Sequence, residues 1–207
     1  MPHEPTRLLT TMGIRDHFRD QVLTSLHRQH VEIGEGTAGY LIDLLTSYAH
    51  SHRLFSESPE GLELRALAEL YADAAHAEGA EQRNHALKTL GDLALFIAGV
   101  FSGYLNRRLV DVDYYIAMGC GAYRDLRDFV RARLSRDGAA VFDELSRKFP
   151  QLVDVLAEVS EESNLGAQFD ALRQYELWLH TRSPRALSRL QRRGIHPIPR
   201  MTIRVSH

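Results

Sequence analysis

The reading of this chain turns on residues 87–118: LKTLGDLALFIAGVFSGYL over 87–105, the break NRRLVDVD, then YYIAM. On a helix, Leu87, Leu90, Ala94, Ala98, Phe101 and Leu105 form one apolar stripe, and Leu93, Phe96, Ile97, Val100 and Tyr104 cover its flanks. A surface helix shows an apolar stripe only about 100° wide, so one that is apolar on almost every face belongs inside a core. A membrane span would need roughly 20 apolar residues without charge. Lys88 and Asp92 interrupt the run on one side, and Asn106, Arg107 and Arg108 end it on the other. The expectation is a central core helix and no membrane span.

Gly99 and Gly103 lie four apart, on one face of that helix, and the next helix carries Ala117, Gly119, Gly121 and Ala122. Small residues at this spacing let helices approach closely. With a short connection between them, an antiparallel hairpin is expected, with Gly103 near Ala117 and Gly99 near Gly121.

Working outward, residues 1–13 read as an irregular arm because Pro2 and Pro5 discourage helix. Apolar residues recur at helical spacing from Ile14 to Val31, from about Thr37 to His52, and from Leu62 to Ala74. Ser58 and Pro59 read as the cap and first residue of that third helix, and Gly79 as its end. Beyond the central hairpin, a helix from about Asp113 to Leu134 stops at the turn signal Asp137-Gly138. Further helices follow over Val141–Phe149, Pro150–Val159 and from Ala167, and a last one runs from Ser183-Pro184 to Gly194. Met201, Ile203 and Val205 alternate with polar residues, the only β pattern noted. The fold class is therefore all-α: one multi-helix bundle, residues 14–194, around a buried helical hairpin, with an extended basic tail over 195–207.

At 207 residues, 44% hydrophobic and 25% charged, the composition is that of a globular protein with one sizeable core. The net charge of -2 argues against a whole-molecule nucleic-acid or membrane-surface binder. The single Cys120 excludes an intramolecular disulfide, and no secretory leader pattern opens the chain, so a reducing, cytoplasmic setting is expected. The charge is uneven: from Leu172 onward eight arginines face one acid, Glu176, a net +7 that leaves -9 on the remainder. That asymmetry suggests docking onto a second copy of the chain, a homodimer, with nucleic acid or another acidic partner as the alternative. From Arg182 onward no aromatic residue interleaves these arginines for base stacking.

Glu69, Asp73 and His76 share one helix face, and Glu81 and His85 repeat the carboxylate–imidazole pairing at the start of the next helix. In ferritin-like bundles such pairs, with further glutamates, hold metal ions, so these five residues are the metal candidates. Asp92 lies in the apolar helix, where a carboxylate must be paired or protonated. Lys88 is one turn earlier, and His85, Asp92, Tyr104 and Tyr114 are the candidates for a cofactor pocket. No phosphate loop, nucleophile elbow or His-Glu-x-x-His motif is present, so no cofactor is firmly implied and enzymatic activity is undecided.

The run LGDLALFIAGVFSGYLNRRLVDVDYYIAMGCGAY resembles a motif of uncharacterised bacterial all-helical proteins, with Gly-Asp before an apolar run and Val-Asp-Tyr-Tyr opening the next helix. The resemblance covers mainly 87–123 and the leucine-rich 40–48, and implies a fold but no activity. A second, weaker resemblance is to haem oxygenase: His27 and His30, a Leu-x-x-Leu-Tyr helix, then Leu90-Gly91-Asp92-Leu93. It implies a haem-binding alternative. Ala94 and Leu95 stand where that family has a glycine pair, and the histidines lie too close in sequence to Gly91-Asp92.

Overall fold

The computed structural model describes residues 11–49, 55–58, 61–64, 67–101, 112–133, 136–166, 174, 178, 181–192 and 194. Eight helices and one small hairpin occur among them. The order is α1 (Thr11–Arg28), α2 (Glu35–Ala49), β1 (Phe55–Ser58), β2 (Gly61–Leu64), α3 (Leu67–Ala75) and α4 (Ala80–Val100). Then come α5 (Val112–Arg133), α6 (Arg136–Arg147), α7 (Phe149–Glu162) and α8 (Pro184–Arg192). The protein is an all-α multi-helix bundle. No helix among the described residues is long and apolar enough to cross a membrane.

As its sequence requires, α4 is the axis of the bundle: every residue from Leu90 to Val100 is buried. It packs on α3, α5 and α7, while α1 lies against α2 and α7. The expected pairing of α4 with its successor is therefore present. Its register differs from the one expected. A Cβ added to Gly99 would lie 2.5 Å from Leu156 Cβ, so this glycine admits α7. Nothing lies within 4 Å of a Cβ at Gly121. The close approach of α4 and α5 is made instead at Gly119, whose added Cβ would be 3.1 Å from Ala94 Cβ and 2.3 Å from the Phe149 ring. Gly103 and Tyr104 lie outside the described residues. Small residues mark close approach, but their spacing alone does not choose among three neighbouring helices.

Helix ends are satisfied from far along the chain. The segment before α2 ends Ile33-Gly34, with no capping side chain of its own. Glu144 of α6 takes that role: its Oε2 accepts the Gly34 N–H at 2.8 Å and the Thr37 hydroxyl at 2.6 Å. At the other end of the core, Ser160 of α7 donates to the terminal Val100 carbonyl of α4 at 3.0 Å. Glu158 ties α7 to α1 by accepting from Ser25 Oγ (2.7 Å), Gln29 Nε2 (2.5 Å) and Arg28.

Several expectations are corrected. Residues 55–58 and 61–64 pair as an antiparallel hairpin, with Phe55 opposite Leu64 and Ser58 opposite Gly61. Ser58 therefore ends a strand instead of capping a helix, the third helix begins only at Leu67, and the tail is not the only β signal. Pro and Gly serve turns as readily as helix starts, so the run Ser-Pro-Glu-Gly does not by itself choose between them. Gly79 is the N-cap of α4, not the end of α3, which stops at Ala75. Asp137-Gly138 falls inside α6, because Ala139, Leu145 and the Phe142 flank draw that first turn onto the bundle. The cap at Ser183 stands as read, with the Ala186 N–H 3.4 Å from Ser183 Oγ, and Asn164 takes φ 52° just after α7. Thr11–Gly13, expected in the irregular arm, already belong to α1; the rest of the arm (1–10) and the whole tail (195–207) lie outside the described residues.

Candidate functional site

Asp92 projects from α4 into the core and is 8% exposed. Its Oδ1 accepts the hydroxyls of Tyr40 from α2 and of Tyr123 from α5, the latter at 2.8 Å. Its Oδ2 takes the Lys88 ammonium at 2.6 Å, one turn earlier on α4. The Lys88 nitrogen also lies 4.9 Å from the centre of the Tyr40 ring, a cation–π distance. Gly91 makes this possible: a Cβ there would be 2.6 Å from the Tyr123 ring. Burial first, and then the adjacent Asp92 carboxylate, push both tyrosine hydroxyls well above the ordinary value, so they remain donors at neutral pH. Burial and Asp92 act in the same direction on Tyr48. Three donors occupy three of the roughly four acceptor sites of this carboxylate. The arrangement locks α2, α4 and α5 together.

The other sequence candidates separate into two places. Asp73, His76 and His85 line one cavity of about 470 Å³ between α3 and α4, with Leu70, Gln82, Ala86 and Thr89. His76 Nδ1 lies 2.7 Å from the Ala72 carbonyl. Donation through Nδ1–H leaves the Nε2 lone pair available. Glu69 and Glu81 are exposed and do not line this cavity. Among the described residues no three His, Cys, Asp or Glu side chains converge so as to hold a metal ion. Asp92 is not part of this cavity, and Tyr114 stands 39% exposed at the start of α5, edge-on to Tyr115. Cys120 is half-buried, and burial pushes its thiol up, away from thiolate reactivity.

The charge asymmetry acquires a geometry. Helix α8 buries Ala186 and Leu190 against Trp178 in a small cluster of their own. On its outer side Arg185, Arg189 and Arg192 are exposed at i, i+4 and i+7, one line along the helix. Arg182 precedes them, its guanidinium 4.7 Å from the centre of the Trp178 ring. The ion pairs among the described residues engage Arg15, Arg28, Arg83, Lys88, Arg127, Arg147 and Lys148. None engages the α8 arginines.

Sequence reasoning found Asp92 and Lys88 but missed Tyr40 and Tyr123. The usable signal was Gly91: a glycine immediately before a buried acid marks room for a large side chain that reaches that acid. Compared with known protein families, with characterised protein sequences and with solved structures, the chain matches none. The resemblances noted above therefore rest on residues 40–48 and 87–123 alone, and on the few positions shared with haem oxygenase.

Proposed function

We propose that this protein works by binding and not by catalysis, and that it associates with a second copy of itself through the arginine line of α8. One observation carries the reading: Arg185, Arg189 and Arg192 lie exposed along one line without acidic partners among the described residues, on a chain whose first 171 residues carry a net -9. Unpaired arginines on an acidic molecule favour contact with another acidic surface, and a second copy always supplies one. The Asp92 network supports the non-catalytic part, since its carboxylate is engaged by Tyr40, Tyr123 and Lys88 in ties between helices.

Light scattering of the purified chain tests this. The expected mass is twice that of the monomer at low salt, falling toward the monomer as salt rises. A monomer under all conditions overturns it. So does an intact wild-type monomer that shifts nucleic acid in a gel, with the shift abolished by deleting residues 183–207.

A second reading, a metal- or haem-binding protein, is favoured by the cavity shared by Asp73, His76 and His85. Elemental analysis and an absorbance spectrum decide it. Stoichiometric iron, or a haem absorbance band lost in His85→Ala, would replace the first reading.

A further inference from the structure

We propose that the surface receiving the α8 arginines is the outer face of α7 in a second copy of the chain; this rests on the self-association argued above. Helix α7 contains Asp154, Glu158, Glu161 and Glu162 and no lysine or arginine. Helix α8 contains Arg185, Arg189 and Arg192 and no acid. The spacings coincide. Asp154, Glu158 and Glu161 stand at i, i+4 and i+7, as do the three arginines. Each line is thus about 10.5 Å long at 1.5 Å per residue. Two helices laid side by side can therefore meet three charges with three.

The α7 line is open where it must be. Asp154 and Glu161 are exposed, and their carboxylates have no ion pair among the described residues. Between them Ala157 is half-buried and small, leaving room for a long side chain to cross. Glu158 is 18% exposed and already holds Ser25, Gln29 and Arg28, so it is a fixed negative charge in the middle of the line. The end of α7 gives a further reason to expect a cation. Its last turn carries Glu161 and Glu162 and no basic residue, the disfavoured sign at a helix C-terminus. Arg28 alone offsets them, through Glu158 and Glu162. Arginine suits this role because its guanidinium grips carboxylates through a planar fork. An antiparallel arrangement, Arg185 near Glu161 and Arg192 near Asp154, also aligns the two helix dipoles favourably.

Two charge reversals test the assignment in the full-length chain: Arg185→Glu with Arg189→Glu, and Asp154→Arg with Glu161→Arg. All four positions are exposed, and circular dichroism checks the fold of each variant. Each variant alone is expected to be monomeric, its dissociation constant raised about tenfold or more. Mixed together, the two are expected to form a heterodimer, because reversed α8 then meets reversed α7 in one direction and native α8 meets native α7 in the other. If the α8 reversal breaks the wild-type dimer while the α7 reversal leaves it intact, or mixing restores nothing, the α7 assignment is overturned and self-association through α8 stands. If the wild-type chain never dimerises, both fall. Should a reversal variant unfold, the neutral pairs Arg185→Gln with Arg189→Gln and Asp154→Asn with Glu161→Gln replace them. Each is then expected to weaken the dimer severalfold, and no weakening by the α7 pair overturns the assignment.

Discussion

Gly99→Ala and Gly121→Ala are the same chemical change on two adjoining helices, and the structure gives them opposite signs. Alanine is favoured over glycine inside a helix by about 0.5–1 kcal/mol. At Gly121, where nothing lies within 4 Å of the new methyl group, that gain is expected in full. At Gly99 the methyl group would be 2.5 Å from Leu156 Cβ and 3.3 Å from its Cδ1, with Leu156 wholly buried. Carbon atoms rest at about 3.5–4.0 Å, so α7 must withdraw by roughly 1 Å. A Cβ cannot swing away as the end of a long side chain can. Overpacking of this kind costs about 1–3 kcal/mol. Withdrawal also stretches the bond from Ser160 to the Val100 carbonyl, a contribution of about 1 kcal/mol. Net destabilisation of about 1–3 kcal/mol should lower the melting temperature by roughly 2–10 °C in a chain of this size, against a rise of a few degrees for Gly121→Ala. Calorimetry of the two variants beside wild type reads both signs. A Gly99→Ala protein that melts at or above wild type would refute the packing of α7 on α4 described above.

Asp92→Ala should destabilise by about 2–4 kcal/mol in chemical denaturation, because it leaves the fully buried Tyr123 hydroxyl without an acceptor. Tyr123→Phe removes one donor only and should cost less, about 1.5–3 kcal/mol; the reverse order would show that the carboxylate is not the hub. Acid should weaken the fold in a defined way. The bonds from Gln29 and Ser25, then Arg28, hold Glu158 below the usual glutamate value of 4.5, and Arg127 does the same for Asp143, with a smaller part from Arg147. Groups with lowered folded values contribute fully above their unfolded values and lose that contribution as the pH falls through the folded ones. The melting temperature should therefore fall on acidification below about 4.5 and fall less steeply in Glu158→Gln; equal slopes would contradict the α1–α7 clamp. Burial raises Glu144, but Thr37, the Gly34 N–H and Lys148 outweigh it and leave it lowered. Glu144→Ala should cost about 1 kcal/mol through the lost α2 cap, visible as faster hydrogen exchange at Thr37 and Ala38.

Local rules written in the chain determined the helical class, the burial of residues 90–100, the start of α8 at Ser183-Pro184 and the concentration of arginine after Leu172. Each depends on residues within one or two turns of one another, so periodicity and capping chemistry suffice. They did not determine the hairpin at 55–64, where Ser-Pro-Glu-Gly suits a helix start and a chain reversal equally well. Tertiary structure alone decided which helix enters which gap: Leu156 and not α5 against Gly99, Glu144 on the start of α2 from 110 residues away, Tyr40 and Tyr123 on Asp92. A buried carboxylate announces that it needs donors. Which side chains supply them depends on helices meeting in three dimensions, and their sequence separations of 52 and 31 residues leave no trace in any local pattern.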